Sequence, residues 1–151
     1  MTQGLRTFFI SLVLLCSNLF VINFTTLATE DIISLRVVGM RNADEAMAQI
    51  KQSISSANFQ KAGQEASKIS LWAENLLSFF PAGSGASVTN LSAASDAIWE
   101  KTDLFQRIVQ NKQLTAKKMV SASKGSDLDK LAQAFEEARM VCESCHEKFR
   151  N

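Results

Sequence analysis

The chain has 151 residues, with 16 Lys plus Arg against 15 Asp plus Glu and a formal net charge of +1. That balance, with no basic run, leaves no electrostatic footprint for nucleic acid. One proline and six glycines, few β-branched runs, and abundant Ala, Leu, Gln, Lys and Glu argue against a sheet protein and for an all-α fold.

Residues 1–28 differ from the rest. They hold one charge, Arg6, then an apolar run from Phe8 to Phe24 interrupted only by Ser11, Cys16, Ser17, Asn18 and Asn23. Thr26-Leu27-Ala28 offers small residues where a signal peptidase cuts, so residues 1–28 are expected to be a secretory signal peptide cleaved after Ala28. The polar interruptions count against a permanent membrane span, which needs about 20 mostly apolar residues. Cys16 falls within the discarded segment. The mature chain, 29–151, is then one exported, periplasmic domain.

Four helices follow. The first is expected over about 31–55, with Ile33, Val37, Met40, Met47, Ile50 and Ile54 on its apolar side. The second runs from about 58 to 79 along Phe59, Ala62, Ala66, Ile69, Trp72, Ala73, Leu76 and Leu77, with Asn58 as its N-cap. Phe80-Pro81-Ala82-Gly83-Ser84-Gly85 breaks the pattern and makes the long loop. The third helix is expected over about 92–121, carrying Ile98, Trp99, Phe105, Ile108, Val109 and Met119. Gly125 ends the next connection, Ser126 or Asp127 caps the fourth helix, and that helix reaches about Arg150. Four amphipathic helices with short connections predict an antiparallel up-down-up-down four-helix bundle.

Cys142-Glu143-Ser144-Cys145-His146 is the strongest motif, the C-x-x-C-H of covalent haem attachment. Positions i and i+3 share a helical face, so both sulfurs can reach one porphyrin edge. His146, four residues after Cys142, shares that face and can ligate the iron. One covalent haem c per chain is expected. Structural zinc usually takes four Cys or His ligands, and a thioredoxin-like pair expects strands around it. A simple disulfide is the remaining alternative. His146 is the only histidine, so a second histidine from the same chain cannot bond the iron. Met, Lys, water, a gas or nothing remains for the sixth position.

These marks resemble those of the class II c-type cytochromes, the cytochrome c-prime family and its low-spin relatives. The C-terminal run from Cys142 to Arg150 is similar to the family's C-x-x-C-H-x-x-[aromatic]-R ending, with Phe149 where tyrosine is common. Phe79-Phe80-Pro81-Ala82-Gly83-Ser84, then Ala97-Ile98-Trp99 and Phe105, resemble its F-P-x-G-S loop and I-W…F stretch. Leu35-Arg36-Val37-Val38-Gly39-Met40 resembles its R-x-x-x-M. The resemblance implies a four-helix bundle with haem between the helices, Met40 over the distal face, and Arg36 and Arg150 near the propionates. It also implies that a homodimer can form through the first two helices.

Arg36 and Met40 are four residues apart and so stack on one helical face. Met40 is expected as the sixth ligand, with Met47 as runner-up, while Met119, Met140, Trp72 and Trp99 are expected in the core. His/Met ligation would make the protein an electron carrier serving a redox partner protein. The alternative is a five-coordinate, high-spin iron that binds nitric oxide or carbon monoxide. Glu136-Glu137 and Asp127/Asp129 are of the kind found on solvated helix faces, and no enzyme activity is expected.

Overall fold

The computed structural model describes Thr29 and residues 31–151. The expected signal peptide lies outside the described residues. Helix α1 covers 31–55 and buries Ile33, Arg36, Ala46, Ile50 and Ser53. These recur at helical spacing, with the half-buried Met40 and Met47 between them. Ala57, at φ 52°, turns the chain out of α1. Asn58 then caps α2 (Phe59–Asn75), its side chain accepting from Lys61 N at 3.0 Å. The apolar stripe of α2 runs through Ala62, Ala66, Ile69 and Ala73, and a 3-10 turn, Leu76–Phe79, tightens its end.

The long loop runs to a one-turn helix, α3 (Ala97–Glu100), followed by α4 (Thr102–Ala122). Asp127 caps α5 (Leu128–Phe149), accepting from Lys130 N at 3.0 Å. Helix α4 packs against both α2 and α5. Ala46 and Ile50 of α1 join the same core, completing the four-helix bundle. Among the described residues no helix is long and apolar enough to cross a membrane.

The third helix differs from expectation. Residues 92–96 are not helical, and Lys101 (φ −119°, ψ 48°) separates α3 from α4. Ser92 and Ser95 turn their hydroxyls onto the nearby N–H groups of Ala94 and Ala97, a local bond that competes with helix. The segment instead runs beside the C-terminus. Ser95 N donates to Phe149 O at 3.0 Å and Asn151 N to Ala93 O at 2.9 Å. The last residues of α5, where fraying is common, are thereby tied down.

Candidate functional site

In the first half of α5, Leu131, Ala134, Phe135 and Ala138 pack into the core. Continued at the same spacing, that face presents Cys142, Cys145 and Phe149. Phe149 is buried against Phe105 and both cysteines are half-buried free thiols. His146 completes the group one residue after Cys145. The face that is core lower in the helix thus carries the two cysteines at its end.

That face opens onto a slot. Two cavities, about 90 and 230 Å³, share Met40, Cys145 and His146 on their walls. One wall is α1, the other α5. The smaller cavity is backed by three rings, Phe80, Phe105 and Phe149. Phe80–Phe105 and Phe105–Phe149 meet edge-on at centroid distances of 5.0 and 5.2 Å, a favourable aromatic geometry. The larger cavity adds Met47 and Asp44 from α1, Lys112 from α4 and Cys142 from α5.

The electrostatics suit an uncharged donor set. Burial pushes the Cys145 thiol up to about 11, against the opposing pull of Lys112. The His146 imidazole titrates below its ordinary value. Burial is the largest cause, the Arg150 and Lys112 charges act in the same direction, and Asp44 opposes them. A neutral imidazole is the form that ligates metal. Lys112 Nζ donates to Cys142 Sγ at 3.3 Å.

Arg36 has an unexpected occupation. It is 4% exposed and donates to Phe79 O (2.8 Å), Ser84 Oγ (2.9 Å), Ser84 O (2.6 Å) and Ser92 Oγ (2.7 Å). Its guanidinium also lies 4.6 Å from the Phe80 ring centroid. A guanidinium has five N–H donors, and Nη1 and Nη2 spend four of them on holding the loop. Burial lowers its pKa. Arg150 is exposed and lines the smaller cavity beside His146.

All six site residues expected from the sequence, Arg36, Met40, Cys142, Cys145, His146 and Arg150, therefore border one slot. Met47 borders it as well. Met119 is fully buried as expected, but Met140 is 53% exposed, not core. It precedes the buried face of α5 by a fraction of a turn and points to solvent. Lys112 and Asp44 were not foreseen. Lys112 meets Cys142 across 30 positions of sequence, and no local pattern signals such a pair.

Among the described residues no three His, Cys, Asp or Glu side chains gather to hold a metal ion. A closed zinc site would lack its ligands. Two free thiols and an imidazole on one helical face, opening onto a largely apolar slot, are the groups that covalent haem c attachment uses.

The comparisons agree. The sequence profile described as Cytochrome C' matches residues 31–150. Two cytochromes c-554 of Cereibacter sphaeroides are 38% and 39% identical over 90 residues, 59% of this chain and 58% and 67% of theirs. The chain thus spans about three fifths of the first relative's length. The cytochrome c' of Thermochromatium tepidum superposes with a TM-score of 0.75 at 18% identity, covering 81% of this chain and 95% of that one. Two structures of Alcaligenes xylosoxidans cytochrome c' variants, one with carbon monoxide bound and one ferrous with nitric oxide bound, give TM-scores of 0.73 and 0.72. They are 19% and 18% identical, and each covers 82% of this chain and 96% and 95% of its own. At these identities the structures speak to the fold, while the profile match covers nearly all the described residues. The chain belongs to the cytochrome c' family and is a mono-haem c-type cytochrome with covalently attached haem c.

Proposed function

We propose that this protein is an exported, periplasmic cytochrome c' that binds nitric oxide or carbon monoxide at a five-coordinate haem. Cys142 and Cys145 form the two thioethers, and His146 is the one protein bond to the iron. Met40, across the slot from His146, would restrict access to the iron without bonding it. When bound, haem supplies an iron able to take up a diatomic gas or an electron. The chain's residues do the rest. The α5 cysteines would fix the orientation, Phe80, Phe105 and Phe149 would exclude water from one side, and Arg150 and Arg36 would be available to the propionates. Family membership over residues 31–150 carries this reading, supported by the gas-bound relatives of similar fold. The role is binding, not turnover of a substrate.

The His146/Met40-ligated electron carrier expected from the sequence stands as the second reading. It is favoured by one observation: Met40 shares both cavities of the slot with His146. Absorption spectra of the oxidised and reduced holoprotein decide between them. The first reading expects a high-spin ferric spectrum and a reduced form that takes up nitric oxide readily. In Met40→Ala, gas uptake should accelerate while the spin state stays unchanged. A low-spin wild type whose far-red iron–thioether band disappears in Met40→Ala overturns it for the second reading, with a redox partner protein as the destination of the electron. A homodimer through α1 and α2 is also proposed. It is supported by the exposed Leu35, Val38 and Leu71 on those helices and by a similar cytochrome c' whose dimer dissociates under ligand control. Sedimentation velocity checks it.

A further inference from the structure

Of the lysines that make close contacts, Lys112 and the exposed Lys148, which donates to Ser144 Oγ, lack a carboxylate partner among the described residues. Lys61, Lys68, Lys117, Lys118 and Lys130 each lie within 3.4 Å of a carboxylate oxygen. Lys112, half-buried in the middle of α4, forms no ion pair among the described residues, and its Nζ donates to the sulfur of Cys142. It also lines the larger cavity of the slot. The other strong cation there, Arg139, is neutralised by Glu136 and Glu143. Asp44 reaches the same cavity from α1 but is exposed, where water screens its charge. Sulfur is a weak acceptor, and withdrawing an ammonium from water without a carboxylate costs stability. Stability alone therefore does not account for the position. The charge faces the site: Lys112 lines the same cavity as Cys142, Cys145 and His146.

We propose that Lys112 raises the reduction potential of the haem by holding an uncompensated positive charge beside the attachment sulfur of Cys142. The inference rests on covalent haem at this slot and on neither choice of sixth ligand. Reduction adds one electron from an external donor, takes the iron from ferric to ferrous, and lowers the net charge of the site by one unit. A fixed cation disfavours the more positive ferric form, and the effect is strongest where water is excluded. The haem environment sets its potential through such charges and hydrogen bonds as well as through its ligands.

The test is an optical redox titration of holoprotein, with dithionite and mediators, at one pH and ionic strength. Wild type is compared with Lys112→Gln, Lys112→Arg and Lys112→Glu. Lys112→Gln should lower the equilibrium constant for one-electron reduction about tenfold, which is about 59 mV for a single electron. Lys112→Glu should lower it further, and Lys112→Arg should stay near wild type. The coordination spectrum should hold across the series, and the Tm of Lys112→Gln should not fall below wild type. Equal potentials in wild type and Lys112→Gln overturn the proposal. So does a fall in Lys112→Arg as large as in Lys112→Gln, because that would make packing, not charge, the cause. If Lys112→Gln fails to accumulate, the Arg and Glu variants carry the same comparison. Failure of the haem reading looks different: wild type would then hold no covalent haem to titrate.

Discussion

The two ends of the bundle are packed with different residues. At one end Ala46, Ala62, Ala66, Ala116, Ala134 and Ala138 line the helix contacts, and Ile50, Ile69, Met119, Leu131 and a single buried ring, Phe135, fill what remains. At the other end Phe105 and Phe149 are buried, with Trp72, Phe80, Trp99, Met40 and Cys145 packed half-buried around them. Interaxial distance follows the size of the side chains at the contact. The core of the alanine-lined end closes over fully buried Ile50, Ala116 and Met119. Outside it, an open groove bordered by Gln49, Lys61 and Glu65 runs along α1 and α2. The ring-lined end leaves a slot between α1 and α5, where the haem, seated as proposed above, would supply the core that the side chains do not.

The strongest way to break that contrast is to remove the cofactor. Cys142→Ala combined with Cys145→Ala should abolish haem retention under acid-acetone extraction. The loss of stability should be the largest of any variant considered. A ligand present at 1,000 times its Kd contributes about 4.1 kcal/mol, and covalent attachment prevents its escape altogether. Hydrogen exchange should locate the loss at the slot end, with α2 and the lower half of α5 still protected. Uniform loss along the bundle would mean that the two ends fold as one unit.

Single substitutions sharpen the contrast. Met119 is fully buried in the closed end, so Met119→Ala should cost about 2–5 kcal/mol by leaving a cavity. The visible spectrum should not change, since Met119 is not part of the slot. Gly39→Ala should cost less, about 1–3 kcal/mol for overpacking, yet change the spectrum. A Cβ at position 39 would overlap the six-membered ring of Trp72. Trp72 has little freedom to give way, as it already packs on Phe79 at 4.5 Å. Its Nε1 is buried without a hydrogen-bond partner among the described residues. The strain would fall on the turn of α1 that carries Met40. Denaturant melts followed by far-UV circular dichroism, with absorption spectra alongside, measure both effects. If Gly39→Ala leaves the spectrum untouched, Met40 is not held by that contact.

Much of this was legible in the sequence. Helical periodicity located α1, α2 and α5 closely, because each carries a continuous apolar stripe. Asn58 marked its helix as a cap, and of the two candidates Ser126 and Asp127 the structure uses Asp127. The site residues on α5 were legible because haem attachment demands a local spacing, i, i+3 and i+4. Arg36 and Met40 were legible only by resemblance, and the full employment of Arg36 was not. Its four bonds depend on where a loop 43 to 56 positions away returns. The start of the third helix was missed for a related reason. The periodicity did not reveal that Ser92 and Ser95 hydrogen-bond locally, or that the segment pairs with the chain terminus. Lys112 was hidden because a lysine on a predicted helix reads as a solvated charge until the neighbouring helix is in place.

The smallest expected effect separates the ends by pH. Glu65 on α2 is 3% exposed and lies in salt-bridge contact with Lys61 and Lys68, each at 2.8 Å. Hydrogen bonds from Lys61 and then Lys68 hold its carboxyl below the usual range and outweigh the opposing effect of burial. A carboxylate whose folded pKa is depressed stabilises the fold above its unfolded value, about 4.3 for Glu. That contribution disappears as pH falls through the folded value. Glu65→Gln removes it, so the Tm of the variant should fall below wild type at pH 7. The gap should close as the pH drops below about 4. Both lysines are well exposed, so solvent screening keeps the gap small. The haem spectrum should be the same in both proteins throughout. A gap that persists unchanged into acid would assign Glu65 a packing role, and a spectrum that moves with it would show that the closed end is not independent of the slot.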